Sequence, residues 1–305
     1  MSPPAQRLLV TCGRGRLAAL VAGHFSPSTC PVTRFSRREG DGLEPLEALF
    51  RPATLAGAGA VLHLAWSTLP AQAERDPGAA LREDLPLLER LLAALAAVPK
   101  AVRPLLVFFS SGGTIYGDAP GRPSREEDPC RPLGAYGRAK LAAEQCITTA
   151  AAQHGLAVAI LRVSNPYGYP VPAERQQGLI PHAVRCALAG QPLALWGDGS
   201  ARKDFLHCSD LLAALEVVLA RRLTGTFNVA AGESHAVHEV IGLVQQATGR
   251  PLPLAPAPAP AWDVHDSRLD HRRLVAATGW SPQVPLAEGI RRAVAAETAG
   301  SERGT

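Results

Sequence analysis

A chain of 305 residues can bury a sizeable core in one large domain or two unequal ones. Its 47% hydrophobic and 19% charged residues exclude disordered and fibrous classes. A formal charge of +4 is too small for this length to point to a nucleic-acid partner. The six cysteines (Cys12, Cys30, Cys130, Cys146, Cys186, Cys208) show neither CxxC nor zinc-ligand spacing, so no metal is expected, and reduced thiols in a cytoplasmic protein are the better reading. Met1 to Gln6 lacks the apolar core of a secretory segment. The most apolar region, Leu91 to Phe109, is cut by Pro99, Lys100, Arg103 and Pro104, so no membrane span is expected.

Short apolar runs bounded by turn formers read as strands at Leu8–Thr11, Pro31–Phe35, Ala60–Leu64, Leu105–Ser110 and Ala157–Val163. Helical patterns at Leu17–His24, Ala79–Val98 and Ala135–His154 alternate with them. That alternation predicts parallel βαβ units with right-handed crossovers, hence an α/β fold with a doubly wound parallel sheet of the Rossmann kind. After Val163 the rhythm changes. Pro166, Pro170 and Pro172 mark a long loop, followed by a helix near Ile180–Ala189, a turn at Gly197-Asp198-Gly199, a strand at Gly225–Val229 and C-terminal helices. The tract "PLPLAPAPAPAW" (Pro251–Trp262) reads as an extended connector. The expected division is a dinucleotide-binding domain over residues 1–164 and a smaller C-terminal α/β substrate lobe over 165–305, with parts near 205–230 returning to the first domain.

The stretch "VTCGRGRLA" (Val10–Ala18) stands where such a fold has its glycine-rich turn, and only Gly13 and Gly15 are glycines. Cys12 and Ala18 occupy two further places where glycine is usual, and the expectation is a turn slightly widened at Cys12. Cys12, Gly13, Gly15, Arg16 and Leu17 are therefore candidate cofactor-binding residues, with helix N–H groups available to a pyrophosphate. The second strand ends in Ser36-Arg37-Arg38, without the Asp or Glu that binds the ribose of NAD. A hydroxyl and two guanidiniums suit a 2′-phosphate instead, so NADP, or else NAD, is the expected cofactor.

"VFFSSGGTIYGD" (Val107–Asp118) followed by "AYGRAKLAAEQ" (Ala135–Gln145) is the more specific signal. Tyr136 and Lys140 lie four apart on a predicted helix and share a face. An ammonium beside a phenol favours the phenolate, which makes the tyrosine a usable acid/base near neutral pH. With "VLHLAWSTLP", "LRVSNPYG", "WGDGSARKDFLHCSDL" and "TFNVAAGE", the chain resembles the extended short-chain dehydrogenase/reductases of the NAD-dependent epimerase/dehydratase family, the branch of UDP-galactose and N-acetylhexosamine 4-epimerases.

That resemblance implies Tyr136 as acid/base at the sugar C4 hydroxyl and Lys140 as tuner of Tyr136 and ligand of the nicotinamide ribose. His63, Leu64 and Ala65 would line the cofactor cleft. Asn165, Arg202 and Lys203 would contact a nucleotide-linked or pyrophosphate-linked sugar, with Ser111 and Trp66 at its edge. The family's catalytic Ser/Thr is Gly112 here, so Ser111 or Thr114 would supply that hydroxyl. An arginine expected just before Asp263-Val264 is absent, and Asp84 replaces a usual Asn near the adenine side. The resemblance also implies a homodimer through Ala79–Val98 and Ala135–His154. Gly112-Gly113-Thr114 carries none of the carboxylates that dehydratases and decarboxylases use after that position, leaving a 4-epimerase or, as the alternative, an NADPH-dependent 4-ketoreductase. A third reading is a nucleotide-binding protein without turnover. Glu126-Glu127-Asp128 reads as a solvated acidic turn, and His235 and His238 as flanking a helix start.

Overall fold

The computed structural model describes residues 7–25, 27–28, 30–119, 121–169 and 178–302. Pro170 and Pro172, expected in a long loop, lie outside them. The chain begins with β1 (Leu8–Val10), α1 (Arg16–His24), β2 (Val32–Ser36), β3 (Leu43–Pro45), α2 (Leu46–Leu49), α3 (Pro52–Ala56) and β4 (Ala60–His63). Next come α4 (Pro70–Arg75), α5 (Ala79–Ala97), β5 (Leu105–Ser111), the one-turn α6 (Gly112–Ile115), α7 (Ala135–His154) and β6 (Val158–Val163). The C-terminal half has β7 (Asn165–Tyr167), α8 (Leu179–Ala189), β8 (Leu193–Trp196), β9 (Arg202–Lys203), β10 (Phe205–His207), α9 (Cys208–Ala220) and β11 (Gly225–Val229). It ends with β12 (His235–Ala236), α10 (Val237–Thr248), β13 (Leu254–Ala257), β14 (Asp266–Ser267), α11 (Arg272–Thr278) and α12 (Leu286–Glu302).

Seven strands form one sheet in the order β3-β2-β1-β4-β5-β6-β11. The pairs β1–β2, β2–β3, β1–β4 and β4–β5 are parallel. The order reverses at β1, so the carboxyl ends of β1 and β4 flank the switch point where doubly wound sheets bind ligands. The predicted Rossmann-type sheet is therefore present. Its strands are nearly continuous apolar runs because helices cover both faces of a parallel sheet, as in β4 and β6, which are buried throughout.

Contacts divide the chain into two compact units. The first takes in the chain up to Ser111, Gly134–Arg162 and Glu216–Phe227; the second takes in Gly112–Leu133, Val163–Leu215 and the chain from Asn228 onward. Within the first, Leu88, Leu91, Leu92 and Leu95 recur at helical spacing along α5 and meet Ala143 and Ile147 of α7, Leu9, Val61 and Leu106 in one core. Helix α7 ends where Gly155 adopts φ +63°, the left-handed cap that glycine permits. The second unit has its own core, in which α8, α10 and α12 contribute Val184, Val240, Val244 and Ile290 around Tyr167 and Phe205.

Residues 112–133 fall in the second unit. Two expectations change. The Pro/Ala tract is more than a connector, because Leu254–Ala257 pairs in parallel with β8. The acidic turn is not simply solvated: Glu126 accepts from Asn228 N at 2.8 Å, and Asp128 takes both Arg122 nitrogens at 2.7 and 2.8 Å. Those bonds hold the Asp128 carboxyl down at about 2. None of the six cysteines forms a disulfide, and among the described residues no helix is long and apolar enough to cross a membrane.

Candidate active site

The turn after β1 is tight, not widened. Cys12 takes φ +60°, a left-handed conformation that glycine would adopt without strain. Gly15 N then donates to Cys12 O at 2.6 Å, and Gly13 N to Phe35 O at 2.7 Å. A Cβ on Gly13 would lie 3.0 Å from Phe35 O, and one on Gly15 would lie 2.9 Å from Cys12 O, so both positions require glycine. Ala18 is buried at the third place, where one methyl group fits. Helix α1 starts at Arg16 and Leu17 with no side-chain cap and no acidic residue in its first turn. Its N–H groups and positive dipole end therefore suit an anionic group. This cradle fits a dinucleotide pyrophosphate.

At the end of β2, Arg38 N donates to Ser36 Oγ at 3.1 Å, and Arg37 Nη2 donates to Glu83 O at 3.3 Å. Arg14 Nη1 donates to Glu39 O at 2.7 Å. Both guanidiniums of the Arg37-Arg38 pair are on exposed residues.

Thr11 ties β1 to the loop after β4. Its Oγ1 accepts from Leu64 N and Ala65 N, each at 2.9 Å. With both lone pairs used, the hydroxyl proton goes to His63 Nδ1 at 3.2 Å. His63 therefore carries its ring proton on Nε2, which is buried without a hydrogen-bond partner. Burial, and then the Lys140 charge, push its pKa down to about 3, so the ring is neutral. Asp84, buried under the same loop, accepts from Ser67 N at 2.8 Å and Thr68 Oγ1 at 3.3 Å.

Tyr136 and Lys140 stand one turn apart on α7, whose first N–H, at Ala135, donates to the Glu74 carboxylate. A carboxylate at a helix N-terminus is favourably placed and fixes where α7 begins. Lys140 is buried, with Nζ donating to Phe109 O at 3.1 Å. Nζ lies 3.9 Å from the Trp66 ring centroid, 4.8 Å from that of Phe108 and 5.9 Å from that of Tyr136. Burial pulls the ammonium down to about 7, against the Asp84 and Glu144 carboxylates that favour its charge. Glu144, one turn further along, is held by Arg162 through Nε at 3.1 Å and Nη2 at 2.7 Å, and both side chains are buried. Ser111 closes β5 in the same unit, next to Ser110, whose buried Oγ has no partner.

In the second unit, Asn165 donates through N and Nδ2 to Asp204 O at 3.0 and 2.9 Å. A Cβ on Gly113 would lie 3.4 Å from the Asn165 amide, which places the two side by side. Thr114 lies on α6. The two cations assigned to the substrate both have internal partners. Arg202 Nη2 donates to Ser234 O at 2.5 Å and Nη1 lies 3.8 Å from Glu239, while Lys203 pairs with Asp263 at 2.9 Å and also donates to Val264 O.

The NAD dependent epimerase/dehydratase family model matches residues 28–230. The chain belongs to that family. It is 32% identical over 205 residues to a UDP-glucose 4-epimerase of Mycolicibacterium smegmatis, covering 66% of this chain and 63% of that protein. It is 28% identical over 190 residues to a dTDP-4-dehydro-6-deoxyglucose reductase of Escherichia coli, covering 62% and 60%. The matches thus span about six tenths of these curated relatives. Among solved structures, the Thermus thermophilus UDP-glucose 4-epimerase in complex with NAD superposes with a TM-score of 0.83 at 28% identity, over 95% of this chain and 98% of that one.

Several residues around the family's motifs escaped the sequence reading. Thr11 looked like the end of a strand, and its buried hydroxyl makes three hydrogen bonds. Asp204 is fully buried, accepts from Ala231 N and Gly232 N at 2.9 and 3.0 Å, and burial raises its carboxyl to about 7. The signal for it was a lone carboxylate entering the apolar run Phe205-Leu206. Glu144 could have been found from its i, i+4, i+8 spacing with Lys140 and Tyr136.

Proposed function

We propose that the chain is an NAD(P)-dependent 4-epimerase of a nucleotide-linked or pyrophosphate-linked sugar, working by transient oxidation at C4. The observation that carries this is the Tyr136–Lys140 pair on one face of α7, with the lysine buried beside the tyrosine ring. When bound, the nicotinamide dinucleotide supplies the hydride acceptor and donor. Tyr136 takes the C4 hydroxyl proton at Oη and returns it to the C4 oxygen, so protons balance over each turnover. Lys140, as an ammonium, lowers the proton affinity of the phenol and binds the nicotinamide ribose. Ser111 or Thr114 replaces the hydroxyl lost at Gly112. Cys12, Gly13, Gly15, Arg16 and Leu17 hold the pyrophosphate, and Leu64 and Ala65 line the cofactor. Asn165, Arg202 and Lys203 are assigned to the substrate, and the protein acts as a cytoplasmic homodimer paired through α5 and α7.

A second reading, an NADPH-dependent 4-ketoreductase, is favoured by Ser36, Arg37 and Arg38 at the end of β2, where no carboxylate would repel a 2′-phosphate. Denaturing the purified protein and identifying the released dinucleotide separates the two. Retained NAD(H) supports the epimerase, whereas an empty protein that prefers NADPH supports the reductase. Affinity for neither overturns both. Tyr136→Phe is expected to lower turnover by about 10²- to 10⁴-fold with cofactor binding intact, and full activity in that variant would remove Tyr136 from the chemistry.

A further inference from the structure

Trp66 sits in the loop after β4, packed against the core of the first unit and edge-on to Phe108, with centroids 6.2 Å apart and planes at 64°. Its buried indole N–H has no hydrogen-bond partner. Indole nitrogens normally find one when buried. The ring orientation is therefore set by its faces and not by its polar edge. The ring carries Lys140 Nζ over its face at 3.9 Å, a distance at which a cation is attracted by the ring quadrupole. Phe108 closes the ammonium in from a second direction at 4.8 Å. Nζ gives one hydrogen to Phe109 O.

We propose that Trp66 is the positioning residue of Lys140: its indole face favours the ammonium form of the buried side chain and fixes it at the point from which it acts on Tyr136. The last clause rests on the function proposed above, but the pairing itself does not. The groups that act on Lys140 are few. Asp84 from α5 and Glu144 from α7 favour its charge. Neutral His63 from β4 adds none, and Arg162 from β6 is bound to Glu144. Tyr136 presents its ring from one turn away on α7. Replacing the indole by leucine removes the quadrupole, and replacing it by phenylalanine keeps a weaker one.

The sequence contains three lysines, Lys100, Lys140 and Lys203, so protein labelled with carbon-13 at lysine Cε gives three resolvable signals without substrate or cofactor. In the wild type, the Lys140 Hε resonances are expected upfield of the other two through the indole ring current, and Lys140→Met assigns them by their loss. In Trp66→Leu the Lys140 titration midpoint is expected to fall by about one pH unit, and in Trp66→Phe by less than half of that. An unshifted Lys140 signal in the wild type, a midpoint that stays or rises in a folded Trp66→Leu protein, or equal shifts in the two variants overturns the proposal. If Trp66→Leu does not fold, the ring-current shift and the Phe variant decide. The alkaline limb of the turnover profile should move with the midpoint. A lowered midpoint with an unmoved limb keeps the Trp66–Lys140 pairing and overturns the role of Lys140 in the reaction.

Discussion

Replacing Lys140 by methionine should make the protein more stable while removing its activity. Methionine has a similar reach and packs well against the Trp66 and Phe108 rings. Burial holds Lys140 at about 7 instead of 10.5. Below pH 7 the lysine is protonated in both folded and unfolded chains, and the full penalty, about 3.5 × 1.36 or roughly 5 kcal/mol as an upper figure, opposes folding. Between pH 7 and 10.5 the unfolded chain keeps a proton that the folded one has released, so wild-type stability rises with pH. Near pH 10.5 the penalty is gone. The variant also leaves the Phe109 carbonyl without its donor, at about 1–3 kcal/mol. The net expectation is a gain of about 2–4 kcal/mol at pH 6, turning into a loss of up to about 2 kcal/mol by pH 10. Urea unfolding of both proteins at pH 6, 8 and 10 measures it. A Lys140→Met protein less stable than wild type at pH 6, or a difference that does not change with pH, refutes the reasoning.

Cys12→Gly relieves the left-handed backbone at the cofactor turn, and its melting temperature should rise by the equivalent of about 0.5–1 kcal/mol with dinucleotide binding retained. Glu144→Gln removes the carboxylate that balances the buried Arg162 charge and should lose about 3–5 kcal/mol in denaturant unfolding, most of which returns in the double variant Glu144→Gln/Arg162→Met. Arg37→Ala/Arg38→Ala should weaken NADPH by about 10-fold or more in fluorescence titration and NADH hardly at all; equal effects on the two would make the pair ordinary surface charge.

The centre of the sheet was legible because β1, β4, β5 and β6 are buried almost throughout and read as unbroken apolar runs, and α7 because its caps and its Tyr-x-x-x-Lys spacing lie in one stretch of chain. The strand Leu43–Pro45 was not, being three residues long with two exposed. The strand inside the Pro/Ala tract was hidden because proline ordinarily argues against one. At the site, sequence singled out Tyr136, Lys140 and the glycines, whose spacing is local. It could not show that Lys203 has Asp263 as its partner, 60 residues away, or that Trp66 lies under Lys140, because both depend on tertiary packing. Cys12 was expected to widen its turn, yet the backbone accepted the strain of a left-handed cysteine and kept the glycine geometry.

The pairing of β13 with β8 has a consequence for how this surface meets other chains. Leu193 N and Gly197 N donate to Pro253 O and Ala257 O, so the odd-numbered residues of the tract face β8. The even ones, Leu254, Pro256 and Pro258, then turn their backbone groups to the open side, since hydrogen-bonding direction alternates along a strand. Two of those three have no N–H to offer. The outer rim of the ribbon thus lacks the run of donors that an intruding strand would need, and it is blunted against edge-to-edge growth without a covering helix. Alanine at Pro256 and Pro258 would restore those donors beside the exposed Leu254 and create a short sticky template.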